Sequence, residues 1–125
     1  MTGSSLPPQV FAFIKEHVRS LLQLEALLLV YESGERSRTA ADLSAEMYVP
    51  VKALEGWLDE FAANGFCVHD EQGYRGPTDH GTYELLAEVS EAHVRRPVSV
   101  GRLIFGSARD DLVELSDAFR LRKDR

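Results

Sequence analysis

The sequence predicts one mainly α-helical domain that contains a small β-hairpin. Through most of the chain, apolar residues recur at steps of three and four, which is the spacing of amphipathic helices. The period changes to two only between Phe66 and Pro77, where turn residues separate two short apolar stretches. A chain of 125 residues is the size of one ordinary domain and can bury a core without disulfides. The fold class that follows is mainly α with a small hairpin, in a single domain spanning residues 1–125.

The first element is predicted to be one long helix from Pro8 to Glu32. Additional leucines between residues 24 and 30 widen its apolar stripe, so we expect this helix to be buried on more than one side. Gly34 suits the left-handed conformation that commonly follows a helix, and it begins a polar loop. The apolar residues that mostly follow helical spacing are Phe11, Ile14, Val18, Leu21, Leu22, Leu28 and Tyr31.

Two shorter helices are predicted next, both within residues 39–65. Thr39 is a favourable N-cap for the first of them, which ends near Met47. Pro50 suits the first turn of the second helix. The backbone N–H groups of that turn have no partner within the helix, so the N–H that proline lacks is not needed there. Asn64 and Gly65 end this second helix. One apolar face of it is expected to pack in the core, formed by Leu54, Trp57, Leu58 and Phe61.

A hairpin and further helices are predicted for the rest of the chain. The hairpin pairs a strand at 66–69 with a short returning strand that begins at Tyr74 and is closed by Pro77. Thr78 is expected to cap a helix that runs to about Arg96, where Pro97 stops it. The remaining helices are predicted over 98–105 and 108–121, so residues 78–122 form a C-terminal helical part.

Residues 39–77 also resemble a known superfamily. The residues that carry the resemblance are Ala40, Ala41, Asp42, Leu43, Ser44, Val49, Val51, Leu54, Leu58, Gly65, Phe66, Gly73, Tyr74, Pro77 and Thr78. In this pattern the chain resembles the winged helix-turn-helix superfamily of bacterial transcriptional regulators. The resemblance implies a three-helix core with a hairpin wing, a third helix that enters the DNA major groove, and flanking helices that form a dimer. By position, the contact residues it implies are Val51, Lys52, Glu55, Gly56 and Asp59 on the third helix, with Gln72, Tyr74 and Arg75 in or beside the wing.

The charge of this segment leaves two interpretations of the partner open. Between Thr39 and Pro77 there are two basic residues against seven acidic ones, a net charge of −5. DNA-binding proteins gain much of their affinity when Lys and Arg neutralise phosphates and release counterions. The first interpretation is therefore a regulatory protein that acts through protein–protein contact. The alternative is a DNA-binding transcriptional regulator that uses Lys52 and Arg75, helped by Arg36, Arg38 or the basic C-terminal tail.

A homodimer is also predicted. An apolar cluster follows the predicted winged core in the sequence. Little apolar surface of that core remains for the cluster to pack against, so we expect a second subunit to cover the cluster. Packing of the same residues onto the first helix within one chain is the alternative. The candidate interface residues are Leu103, Ile104, Phe105, Leu112, Leu115 and Phe119.

No enzyme, metal site or cofactor is predicted. His80 and Glu84 share a helix face but lack the further ligands of a zinc motif, and no other histidine lies in a recognised metal pattern. Cys67, the only cysteine, is expected to be a buried inert thiol, although His69 on the same strand face leaves a redox role open. A lone cysteine, the absence of a signal-like segment in Met1–Gln9 and the lack of a long apolar run predict a cytoplasmic protein without a membrane partner.

Overall fold

The computed structural model describes residues 6–106, and the predicted helix over 108–121 lies outside them. The described chain is mainly helical and contains one small antiparallel sheet, which confirms the predicted class at that level. Its elements are α1 (Pro8–His17), α2 (Leu21–Glu32), α3 (Ala40–Met47), α4 (Val51–Ala63), β1 (Val68–Asp70), β2 (Gly73–Arg75), α5 (His80–Arg95) and α6 over 97–106.

The prediction of one N-terminal helix from Pro8 to Glu32 is wrong, because the structure has two helices there. Val18 is extended, with φ −119° and ψ 122°, and ends α1. Ser20 begins α2 as its N-cap, since its hydroxyl accepts a hydrogen bond from the Gln23 N–H at 3.1 Å. The Gln23 side chain in turn accepts from the Arg19 N–H at 2.7 Å. These local bonds satisfy backbone N–H donors at the start of a new helix. The capping residues Ser20 and Gln23 signal this start in the sequence, but the apolar spacing continues across it and hides the break.

Helix α2 is the centre of the fold. It contacts α4 and α5 as well as β2, so neighbours surround it. An element covered on several sides needs apolar residues around most of its circumference, and α2 has them. The expected burial on more than one side is therefore observed. Its buried residues are Leu24, Ala26, Leu27, Leu28 and Val30.

Helices α3 and α4 pack against each other and form the next layer. Thr39 caps α3 as predicted, because its Oγ1 accepts from the Asp42 N–H at 3.0 Å. Tyr48 makes the turn between the two helices, and Gly65, with φ 85°, follows the end of α4. Trp57 is half-buried and packs at the edge of the core. The fully covered residues of α4 are Leu54, Leu58 and Phe61.

The hairpin is present but shorter than predicted, since Phe66 and Cys67 precede β1 and lie outside the ladder. His69 pairs with Tyr74 in the antiparallel register. Tyr74 also pairs on its other side with the backbone of Arg38, donating to its carbonyl at 2.7 Å and accepting from its N–H at 2.7 Å. The segment that leads into α3 therefore supports the hairpin from the side opposite β1.

Helices α5 and α6 complete the described chain. The predicted cap of α5, Thr78, is wrong: Asp79 caps the helix by accepting from the Thr82 N–H at 2.9 Å and from its hydroxyl at 3.0 Å. A carboxylate is at least as good an N-cap as a hydroxyl, and here it receives two bonds. Helix α5 packs on α1 and α2. Among residues 6–106, no helix combines the length and apolar character that a membrane span requires.

Candidate contact surface on α4 and the hairpin

One face of α4 presents most of the residues that the resemblance assigned to partner contact. Val51 is 37% exposed, and Lys52, Glu55 and Gly56 are also exposed. Asp59 follows one turn later, with 54% of its side chain exposed. The spacing of these residues places them along one side of the helix, opposite the buried leucines. The structure therefore brings all five together on an open surface.

The hairpin residues predicted to join this surface differ in their exposure. Gln72 is exposed in the turn. Tyr74 is only 2% exposed, so its prediction as a contact residue is wrong. Tyr74 is buried because its backbone pairs with a neighbouring segment on both sides and its ring stacks against the ring of His69. Arg75 is half-buried, and its Nε lies 3.0 Å from Oδ2 of Asp70.

Asp59 connects α4 to both strands of the hairpin. Its Oδ1 accepts a hydrogen bond from the Tyr74 hydroxyl at 2.7 Å and lies 3.0 Å from Nδ1 of His69. The rings of His69 and Tyr74 stack with their centroids 4.0 Å apart. Burial, together with the hydrogen bond to the Asp59 carboxylate, raises the pKa of the Tyr74 phenol well above 10, so the phenol remains a proton donor. This network holds the hairpin against the C-terminal half of the α4 face.

Two of the arginines predicted to help bind DNA are committed to carboxylates. The Arg38 side chain is 11% exposed, and its Nε and Nη2 each lie 2.6 Å from a carboxylate oxygen, of Asp42 and Glu46 respectively. Arg75 is paired with Asp70, as described above. Within residues 6–106, Lys52 makes no ion pair. The α4 face therefore has one available ammonium group among several carboxylates.

Tyr48 is an exposed residue of this region that is not among the contact residues predicted from the sequence. Its side chain is 92% exposed, while the next residue, Val49, is buried. Its backbone is left-handed, with φ 61° and ψ 38°. Its position in the sequence could have identified it, because the residue that follows a helix is commonly a glycine in this left-handed conformation. Here a tyrosine occupies that position instead.

The candidate chemical groups elsewhere are unreactive or open to solvent. Cys67 is buried, its thiol lies 3.6 Å from the Leu58 carbonyl oxygen, and burial raises its pKa to about 12. The thiol is therefore protonated at neutral pH, which argues against a reactive thiolate. His80 lies 3.1 Å from Glu84, and both are largely exposed. No group of three His, Cys, Asp or Glu residues within the described range is arranged to hold a metal ion.

The candidate dimer residues within the described range fall into different environments. Ile104 is 5% exposed and belongs to the core, so its prediction as an interface residue is wrong. It packs inside the chain because α6 turns this side toward the core together with Val100. Leu103 is half-buried and Phe105 is 66% exposed. The other predicted interface residues, Leu112, Leu115 and Phe119, lie outside the described residues.

Comparison with known proteins gives no match to a family model, to a curated protein or to a solved structure. The best-defined surface is the exposed face of α4 with the hairpin fixed to it and Tyr48 at the preceding turn.

Proposed function

We propose that this chain is a non-enzymatic winged-helix regulatory protein that acts through protein–protein contact. In this proposal α2, α3 and α4 are the three-helix core, the β1–β2 hairpin is the wing, and α4 with the wing forms the contact surface. The observation that carries the proposal is the charge of α4: Glu55, Asp59 and Glu60 are exposed on it, and Lys52 is its only basic residue.

These charges favour a protein partner over DNA. A DNA duplex carries a high density of phosphates, and binding them depends on cations that replace the counterions of the duplex. Arg38 and Arg75 are paired with carboxylates, so using either one for phosphate contact requires breaking an existing ion pair. Complementary charges on two proteins guide their association, so a partner surface that carries Lys or Arg can meet the α4 carboxylates.

The attachment of the wing also supports a role in recognition. Asp59 bonds Tyr74 and contacts His69, and the backbone of Arg38 pairs with Tyr74. These contacts fix the wing to α4 before any partner arrives. A surface that is already ordered loses less conformational freedom on binding, which raises affinity for a given contact area.

A DNA titration tests the alternative function. Fluorescence anisotropy of labelled mixed-sequence duplex is measured at low salt and at physiological salt with the wild type, Lys52→Ala and Lys15→Ala. Lys15 is the matched control, because it is an exposed lysine on α1. If the partner is a protein, we expect no DNA binding that depends on Lys52. Binding at low salt that weakens steeply with salt and is reduced by Lys52→Ala alone would establish the DNA-binding alternative.

Site-specific photo-crosslinking tests the protein contact directly. A photoreactive amino acid is introduced at position 52 on α4 and, as a control, at position 15 on α1, and the full chain is irradiated in its native cells. We expect a protein adduct from position 52 that position 15 does not form. Equal adducts from both positions, or none from position 52, would refute a specific contact through α4.

A further inference from the structure

We propose that Tyr48 is the anchor residue of this contact, and that the partner presents a basic protein segment with an apolar slot for the tyrosine ring. This inference rests on the proposed function, because it assigns a central residue and a partner chemistry to the same surface. It starts from a position where local conformation and residue type disagree.

The backbone at Tyr48 is unfavourable for its side chain. With φ 61°, it is the one residue other than glycine that has a positive φ within residues 6–106. A bulky residue in this region is strained, whereas glycine or asparagine adopts the conformation readily. The turn itself needs only the backbone, whose N–H donates to the Ser44 carbonyl oxygen at 2.8 Å. Nothing in the turn therefore calls for an aromatic ring.

The ring of Tyr48 also contributes nothing to the described core. It is 92% exposed and makes no ring contact or side-chain hydrogen bond within residues 6–106. The other three tyrosines all contact a second ring: Tyr31 and Tyr83 have centroids 5.0 Å apart, and Tyr74 stacks on His69. A ring that strains the turn and packs on nothing is explained by a contact outside the chain, where tyrosine is among the residues that most often dominate binding energy.

The surroundings of Tyr48 indicate the chemistry of the partner. Val51 is three residues further along and 37% exposed, so it can extend the apolar centre. Of the exposed charged residues nearby in sequence, Glu46 is paired with Arg38, whereas Lys52 and Glu55 lie on α4 beyond Tyr48. With Asp59 and Glu60 further along, α4 has one basic and three acidic residues, a net charge of −2. An apolar centre beside this net acidic helix is complementary to an apolar slot flanked by Lys or Arg. Phosphate groups are repelled by the same carboxylates, so a basic protein segment is the occupant to which we commit.

The test uses defined probes and the full chain. The probes are a short fluorescein-labelled amphipathic peptide of leucine and lysine, the same peptide with every lysine replaced by glutamate, and mixed-sequence duplex DNA. Anisotropy titrations compare the wild type with Tyr48→Gly, which keeps the left-handed turn, and Tyr48→Phe, which keeps the ring. Tyr83→Ala is the control for loss of an exposed tyrosine elsewhere, on α5.

We expect the lysine peptide to bind the wild type, and Tyr48→Gly to weaken that binding by about tenfold, the size of effect typical of an anchor residue. Tyr48→Phe and Tyr83→Ala are expected to change it by less than about threefold, as for side chains outside the anchor. The proposal is overturned if no peptide binds, if Tyr48→Gly binds as well as the wild type, or if the glutamate peptide or DNA is preferred. A melting temperature of Tyr48→Gly no lower than that of the wild type confirms that the variant is folded.

Crosslinking separates this inference from the proposed function. If the adduct from position 52 persists in Tyr48→Gly at undiminished yield, the contact surface is retained and the anchor role of Tyr48 is refuted. If position 52 forms no adduct in either protein, the proposed function itself fails. Loss of the adduct in Tyr48→Gly alone supports both.

Discussion

Replacing Gly73 with alanine should destabilise the fold through a direct backbone collision. Gly73 has φ 129°, a conformation that residues with a side chain rarely adopt. A Cβ there would lie 2.4 Å from the Arg38 carbonyl oxygen and 2.8 Å from its carbonyl carbon. Both atoms belong to the backbone segment that pairs with Tyr74, so neither can move aside without disturbing that pairing.

The size of the effect follows from the contacts that must be lost. Adopting a strained backbone costs roughly 1–3 kcal/mol. Separating Arg38 from the hairpin breaks two backbone hydrogen bonds, each 2.7 Å long. Each contributes on the order of 1 kcal/mol net. We therefore expect Gly73→Ala to lower the free energy of unfolding by about 3–5 kcal/mol, which corresponds to a fall in Tm of roughly 10–20 °C for a domain of this size.

Urea and thermal unfolding followed by circular dichroism provide the measurement, with Gly56→Ala as the matched control. Gly56 lies within α4, is exposed, and an added Cβ there meets no atom within 4 Å. Alanine in a helix interior is favoured over glycine by roughly 0.5–1 kcal/mol, so this variant should be more stable than the wild type. A Gly73→Ala variant within about 0.5 kcal/mol of the wild type, the range of an ordinary surface substitution, would show that no backbone collision occurs at this position.

Four further predictions concern the helix caps and the buried thiol. Ser20→Ala removes the N-cap of α2 and should cost about 1 kcal/mol in urea unfolding, whereas no effect would argue against the break at Val18. Because the pKa of Asp79 is lowered by its hydrogen bonds to Thr82, its charge stabilises the fold above its ordinary pKa of 3.8, and this contribution is lost as pH falls. Asp79→Asn, which can still cap α5, should therefore flatten the acid side of the stability–pH curve, and an unchanged curve would contradict this. The pKa of Cys67 is raised to about 12 from 9.0 in the unfolded chain, so stability should fall as pH rises from 9 toward 12. The same burial predicts negligible labelling by thiol reagents in the native protein at neutral pH, and rapid labelling without denaturant would disprove it.

Much of the secondary structure is predictable because its signals are local. The change from helical to alternating spacing locates the hairpin, and the cap at Thr39 and the positive φ at Gly34 and Gly65 follow from residue type. The break between α1 and α2 was missed, although Ser20 and Gln23 carry a capping signal. The apolar residues on both sides of the break continue the same spacing, so periodicity alone cannot distinguish one helix from two.

The candidate surface was predictable only in part, for a physical reason. The residues on the exposed side of α4 were implied by the resemblance, and they lie away from the buried side that Leu54, Leu58 and Phe61 form. The sequence of the hairpin does not indicate in the same way which of its residues are exposed. Whether Tyr74 faces a partner or the core depends on its pairing with Arg38, which is distant in sequence. The exposure of Tyr48 likewise depends on how α3 and α4 leave the turn between them.

Composition and short-range spacing encode the mainly helical class, the hairpin and the acidic balance of residues 39–77, so all three can be predicted without the structure. Which charged groups are available for binding depends instead on the fold. It pairs Arg38 with Asp42 and Glu46, ties Asp59 to the hairpin, and places Ile104 in the core. The Arg38 pairs join residues only four and eight positions apart, but they form only in the turn and helix that the fold builds there. The bond between Asp59 and the hairpin and the burial of Ile104 depend on distances between different segments, which the packing of the elements sets.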